Sequence, residues 1–285
     1  MVRIAAPASP FPATPFKRGV RLLQKQGFKV RYRKDIFANH RHLAGDDKRR
    51  LAELKEALTD TESRALLFAR GGYGTQRLLP FLEKIRPSPK TVVGLSDLTV
   101  LLGFLWKKYS LPSLYGPLVA PHLEHTKNTV RLGQALTQVK FFSKQRITAR
   151  ETLKNGSATG TLMGGCLSLI VSTLGTPYEW DTKGSILFLE DTHEEPYAVD
   201  RMLTQLKQAG KFKGVRGIVL GTFRLRGVLF PNKIREVVLD CLRDFRGPIL
   251  WGVRFGHCPD PLIIPFGVSG KIDGKKLLIT KGFFS

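Results

Sequence analysis

Three residues of this chain, Ser96, Glu190 and His257, have the types and chain order of a nucleophile, an acid and a base. A serine hydroxyl is a poor nucleophile until an imidazole takes its proton. The imidazole in turn needs a carboxylate to fix its tautomer and stabilise its charged form. Ser96 lies in Gly94-Leu95-Ser96-Asp97, after an apolar run and before a helical one. That is where a nucleophile elbow sits: the sharp turn exposes the hydroxyl, and the helix N-terminus aims N–H groups at an oxyanion. The pattern is Gly-x-Ser-Asp and not Gly-x-Ser-x-Gly, so Ser96 or Asp97 reads equally well as the N-cap of a helix over 98–107. Glu190 is expected to end a strand over 186–189, within an acidic cluster that includes Asp191, Glu194 and Glu195; the later members suit the start of a helix over 195–209. His257 stands in a loop framed by Gly256 and Pro259, a setting in which a lone histidine is also commonly a solvated one. Cys258 beside it has no second histidine at hand and reads as an inert thiol.

A second constellation is Arg70-Gly71-Gly72-Tyr73-Gly74, between a strand and a helical stretch. Glycines there let the backbone approach a ligand and can cradle an oxyanion or a carboxylate, or can simply make a tight turn. The spacing fits neither a dinucleotide fingerprint nor a phosphate loop. Arg70 and Arg77 flank it as candidate carboxylate binders or as plain surface charges.

These residues need a scaffold. Strands are expected at 2–6, 29–32, 65–69 and 91–93, with helices at 15–26, 46–58, 75–84 and 98–107 between them. Such alternation predicts an α/β, doubly wound parallel sheet with functional loops at the strand C-termini. Around 140–158 the pattern lapses into a polar, basic stretch. The predicted organisation is therefore an N-terminal α/β domain over 1–142, a linker over 143–158, and a smaller β-rich α/β domain over 159–285. In the latter, Val199, Met202, Leu203 and Leu206 mark an amphipathic helix, a further helix is expected near 232–242, and Asp273-Gly274 turns a hairpin.

Composition narrows the function. Among 285 residues, 46 Lys and Arg against 23 Asp and Glu give a net charge of +23, unevenly spread. Residues 1–150 hold 28 basic and 10 acidic residues (+18), leaving 18 and 13 (+5) for 151–285. That field suits anionic partners, cell-wall material among them, or is merely a solvated basic surface. No nucleic-acid module signature accompanies it. No apolar run approaches the roughly 18–20 residues of a membrane span, and Pro7, Pro10, Pro12 and Pro15 break any signal-like core, so a cytoplasmic or already mature protein is expected. Three scattered cysteines make neither a disulfide framework nor a zinc site.

Several segments, in order, resemble the LD-carboxypeptidase family of serine peptidases, which includes muramoyl-tetrapeptide carboxypeptidases and microcin C immunity peptidases. They are Ala6–Pro10, Ala69–Leu79, Gly94–Thr99, Tyr115-Gly116-Pro117, Gly164–Leu169, Leu174–Tyr178, Phe188–Leu206 and Gly256-His257 with Pro265 and Gly267. The resemblance implies a two-domain homodimeric enzyme without metal or cofactor that removes a terminal D-alanine from a muropeptide. It implies Ser96 as nucleophile, Glu190 as acid and His257 as base. Backbone N–H groups of Asp97 and Gly72 would form the oxyanion hole, with Tyr73, Arg70, Gly165 and Cys166 around the substrate. The chain departs from the family at Tyr115, where a histidine is usual, at Cys166, where asparagine is usual, and at Asp260–Ile263. These departures leave open a peptide–nucleotide antibiotic as substrate, for which Trp180, Phe223 or Phe255 would be the stacking aromatic. A basic nucleic-acid- or wall-binding protein with a vestigial triad is the alternative of a different class.

Overall fold

A computed structural model describes residues 1–145 and 147–280. The chain forms two compact units, 1–138 and 139–285, each with its own core.

In the first unit, strands β1 (Val2–Ala5), β2 (Val30–Arg31), β3 (Ala65–Phe68), β4 (Thr91–Gly94) and β5 (Ser113–Tyr115) alternate with helices. The principal helices are α1 (Ala13–Lys25), α2 (Asp47–Thr59), α3 (Thr99–Tyr109), α4 (Val119–His122) and α5 (Thr126–Thr137). All strand pairs are parallel, in the order β5-β4-β3-β1-β2. β1, β3, β4 and β5 are buried along their whole lengths, as strands covered on both faces must be, and this explains their mainly apolar sequences, with Arg3, Thr91 and Ser113 as buried polar exceptions. The stretch expected as a helix over 75–84 is instead a 3₁₀ helix, Gln76–Leu82, with Pro80 inside it; proline removes a donor that an α-helical ladder needs.

The second unit begins with α6 (Phe141–Lys144) and carries β6 (Ile147–Thr148), β7 (Glu151–Lys154), β8 (Ser157–Cys166), α7 (Leu167–Val171), β9 (Ser185–Thr192), α8 (Pro196–Gln208), β10 (Gly217–Leu225), β11 (Val228–Leu229), α9 (Asn232–Cys241), β12 (Ile249–Gly256), β13 (Ile264–Phe266), β14 (Ser269–Asp273) and β15 (Lys276–Ile279). Its sheet runs β6-β15-β14-β8-β9-β10-β12-β7, with β11 paired to β10. The four central strands β8, β9, β10 and β12 are parallel, and antiparallel strands close both sides. The polar stretch 143–158 is thus not a linker: it supplies β6 and β7, the two outermost strands of the sheet, where a polar sequence is tolerated. The hairpin of β14 and β15 turns at Gly274-Lys275, one residue later than the expected Asp273-Gly274, with Asp273 paired to Lys276. The face of α8 made by Val199, Met202, Leu203 and Leu206 is buried, each such side chain contributing roughly 1.5–3 kcal/mol.

Candidate active site

In the first unit the strand order reverses between β1 and β3, and ligands of doubly wound sheets bind at such switch points, beyond the strand C-termini. The loop after β1 and the glycine loop after β3 are stitched together there. Ser9 donates its N–H to the Gly71 carbonyl at 3.1 Å, and its hydroxyl accepts the Tyr73 N–H at 3.1 Å. Arg50 of α2, wholly buried, donates to the carbonyls of Pro7 and Gly74, the latter at 2.9 Å. Asp97 accepts the Thr75 N–H at 2.8 Å and also the Gly74 N–H. Burial raises the Asp97 pKa, against the pull of these donors and of Arg50.

Ser96 follows β4 at the next strand end. Its φ is +64°, a left-handed conformation that serine adopts at a cost and that an N-cap does not use. The backbone thus departs from that of an N-cap at Ser96 and is strained at this point. The Tyr115 hydroxyl, buried at the end of β5, accepts the Ser96 N–H at 3.2 Å. Gly71 approaches so closely that a Cβ there would lie 2.8 Å from the Ser96 Cβ and 3.1 Å from its Oγ. Gly72, with φ of +103°, lies against Ser9.

The remaining residues of this group diverge. Tyr73 is half exposed, its ring centroid 5.4 Å from that of His42. Arg70 donates to the Pro10 carbonyl at 2.7 Å. Arg77 is a surface ion pair, its Nε and Nη2 3.0 and 2.6 Å from Asp47 Oδ2. Sequence reading passed over Arg50, because its neighbours look like a solvated helix face, and over Ser9 and Tyr115 as hydrogen-bond partners of the loop and elbow.

In the second unit Glu190 lies inside β9, not at its end, since the strand continues to Thr192. It is fully buried, and its Oε2 accepts both the His257 Nδ1–H at 2.7 Å and the His257 backbone N–H at 3.0 Å. Donation from Nδ1 leaves Nε2 of the neutral ring as an acceptor. His257 keeps partial exposure, so that nitrogen is not sealed in the core. Gly256 (φ +87°) permits the approach: a Cβ there would run into Glu190 Oε2. Burial pulls the His257 pKa down, but the charge and hydrogen bond of Glu190 and the charge of Asp191 outweigh it, and the net shift is upward.

Successive residues of a strand face opposite ways, and Asp191 points from Glu190's neighbour position to the start of α7. It accepts the Ser168 N–H at 2.7 Å and the Thr192 N–H at 2.8 Å. Burial, then the charge of Glu190, raises it to about 6. Cys166, in register with Glu190, is buried with its thiol 3.4 Å from Asp191 Oδ1; burial and the two carboxylates hold that thiol well above its usual pKa. Gly165, beside it, is in register with Leu189. Burial likewise raises Cys258. Trp180, Phe223 and Phe255 are all core: Phe223 stacks on Trp251 and Phe255 packs edge-on to Phe188, so none offers an open face for a base. Among the described residues no helix is long and apolar enough to cross a membrane.

Comparison with known proteins bears on both units. Residues 2–116 match the LD-carboxypeptidase N-terminal domain and residues 159–272 the LD-carboxypeptidase C-terminal domain. The chain is 34% identical over 281 residues to a probable murein peptide carboxypeptidase of Bacillus subtilis, covering 95% of this chain and 88% of that one. It is 27% identical over 319 residues to the microcin C7 self-immunity protein of Escherichia coli, covering 99% and 92%. Its fold superposes on the crystal structure of muramoyltetrapeptide carboxypeptidase from Oxalobacter formigenes with a TM-score of 0.80 at 27% identity, over 96% of this chain and 97% of that one.

Proposed function

Because the chain belongs to the LD-carboxypeptidase family, we propose that it is a serine LD-carboxypeptidase that removes the terminal D-alanine from muropeptide tetrapeptides. The observation that carries this reading is the buried Glu190 gripping His257 through Nδ1, which presents Nε2 as a base. His257 Nε2 takes the proton of the Ser96 hydroxyl as Oγ attacks the carbonyl preceding the D-alanine. The oxyanion accepts hydrogen bonds from the N–H groups of Asp97 and Gly72, each such donor being worth roughly 10²–10³ in rate. Glu190 stabilises the imidazolium, which then gives its proton to the departing amine. A water, deprotonated by the same imidazole, hydrolyses the acyl-enzyme and regenerates Ser96.

The strained Ser96 backbone supports this assignment, since such conformations persist where surrounding structure enforces them and cluster at functional sites. The test is incubation with disaccharide tetrapeptides, read by mass spectrometry, beside Ser96→Ala. Loss of one alanine by the wild type only is expected. No loss at high enzyme concentration overturns the muropeptide reading and directs the same pair of proteins to peptide–nucleotide substrates.

A further inference from the structure

A carboxypeptidase must recognise a carboxylate, yet the field at His257 is acidic: Glu190 is bonded to the ring, and the charge of Asp191 reaches it as well. An incoming anion meets repulsion there unless a cation offsets it. The product's chemistry says where that cation belongs. A single carbon separates the amine that His257 protonates from the carboxylate of the departing residue, so a cation that faces the imidazole suits that carboxylate.

Three arginines surround this end of the second sheet. Arg226 is paired with Glu195 at 2.7 Å, and Arg254 is paired with Asp260. Arg224 is different. It lies near the C-terminal end of β10, in register with Thr192 of β9, while Thr222, two residues earlier, is in register with Gly256. Its backbone carbonyl accepts the His193 N–H at 2.7 Å, which fixes the strand end beside the acidic loop. Its side chain is exposed and has no ion pair or hydrogen bond among the described residues. Its charge is nevertheless felt at the imidazole, where it opposes protonation.

We propose that Arg224 anchors the C-terminal carboxylate of the substrate, an inference that rests on the carboxypeptidase reading above. A guanidinium fork matches a carboxylate bidentately, and its charge offsets the field of Glu190 and Asp191. Of the two arginines that flank the glycine loop, Arg77 is already committed to Asp47, and Arg70 spends a donor on a backbone carbonyl. Neither lies in the unit that carries the imidazole.

The experiment compares the tetrapeptide with the same peptide ending in a carboxamide, using wild type, Arg224→Gln, Arg224→Lys and Arg243→Gln. Arg224→Gln is expected to raise KM for the carboxylate substrate about 10–100-fold, the worth of a charge-assisted pair, and to abolish the preference for carboxylate over carboxamide. Arg224→Lys recovers part of that preference, and Arg243→Gln, a change in an exposed surface ion pair, retains it. Arg224→Gln also moves the acid limb of kcat/KM to higher pH, because a positive charge no longer opposes protonation of His257. Unchanged discrimination in a folded Arg224→Gln overturns the proposal while the carboxypeptidase reading stands. A wild type that releases no D-alanine overturns the reading, and the proposal falls with it.

Discussion

The elbow around Ser96 and the pair formed by Glu190 and His257 are built on opposite physical principles. The elbow is a matter of shape and neutral hydrogen bonds: a strained φ of +64°, a glycine in contact with the serine, and a phenol on its N–H. Strain of that kind costs of the order of 1–3 kcal/mol and persists only where neighbours enforce it. The acid–base pair is a matter of charge: one buried carboxylate oxygen accepts both the ring and the backbone of the same histidine. A nucleophile must be aimed, whereas a base must also have its protonation state set. The two regions should therefore fail differently, the first to changes of volume and the second to changes of charge that leave volume alone.

Removing chemistry outright gives the largest effect. Ser96→Ala or His257→Ala is expected to lower kcat by about 10⁵–10⁶-fold, and the double variant by hardly more, because members of such a unit are grossly non-additive. Additive losses would show that the two regions do not act as one machine. Next comes Glu190→Gln, which keeps volume and removes charge. An amide can present its NH₂ to Nδ1 and select the wrong tautomer, and a fall in kcat of about 10⁴-fold is expected, with thermal stability as the control. A loss of tenfold or less would mean that the carboxylate's charge matters little and that the two regions do not differ in this way.

Tyr115→Phe tests the other side, removing one hydroxyl from the elbow without changing its shape. The part-buried Ser96 N–H then loses its phenol acceptor, which costs up to about 1–3 kcal/mol, the figure for a fully buried orphaned donor. If that cost falls on the attacking geometry, kcat drops about 10–100-fold with KM little changed. The acid limb of the pH profile should stay in place, since no charge has been altered. A displaced limb would show that Tyr115 communicates with the imidazole electrically.

How much of this was legible follows the same division. The parallel sheet of the first unit could be read because strands buried on both faces are written as mainly apolar runs such as Thr91–Val93. Ser96, Glu190 and His257 could be singled out because segments resembling one family, in the family's order, carry them; local chemistry alone left Ser96 open as a cap and His257 as a solvated histidine. The strain at Ser96 could not be read, for φ is imposed by tertiary contacts with Gly71 and Tyr115, which are distant in sequence. Arg50 could not be picked out, because helical periodicity reports apolar side chains and is silent about a buried guanidinium whose partners are the Pro7 and Gly74 carbonyls. The stretch 143–158 looked like a linker because strands at the outside of a sheet need not be apolar. The separate duties of Glu190 and Asp191 were hidden too: adjacent acidic residues are equivalent in a sequence until a strand turns them to opposite faces.

That last pair supplies the finest test. Asp191 touches α7 and not His257's hydrogen bonds, but its charge helps to raise the histidine. Because His257 is raised above its usual 6.5 and must be neutral to act as base, kcat/KM should fall on the acid side with a midpoint above 6.5. Asp191→Asn removes one negative charge, favours the neutral ring, and should move that limb to lower pH with the plateau rate little changed. Stability should respond with a definite sign. The raised His257 contributes stability that is present below 6.5 and lost as pH rises through its folded value. Asp191, raised from 3.8 to about 6, likewise binds its proton more tightly in the fold, so its contribution is present below 3.8 and lost as pH climbs through 6. In Asp191→Asn the decline in melting temperature between pH 4 and 6 should flatten, while the decline attributable to His257 at higher pH remains. An unmoved acid limb beside a flattened stability curve would mean that Asp191 serves only the start of α7, and that Glu190 alone sets the base.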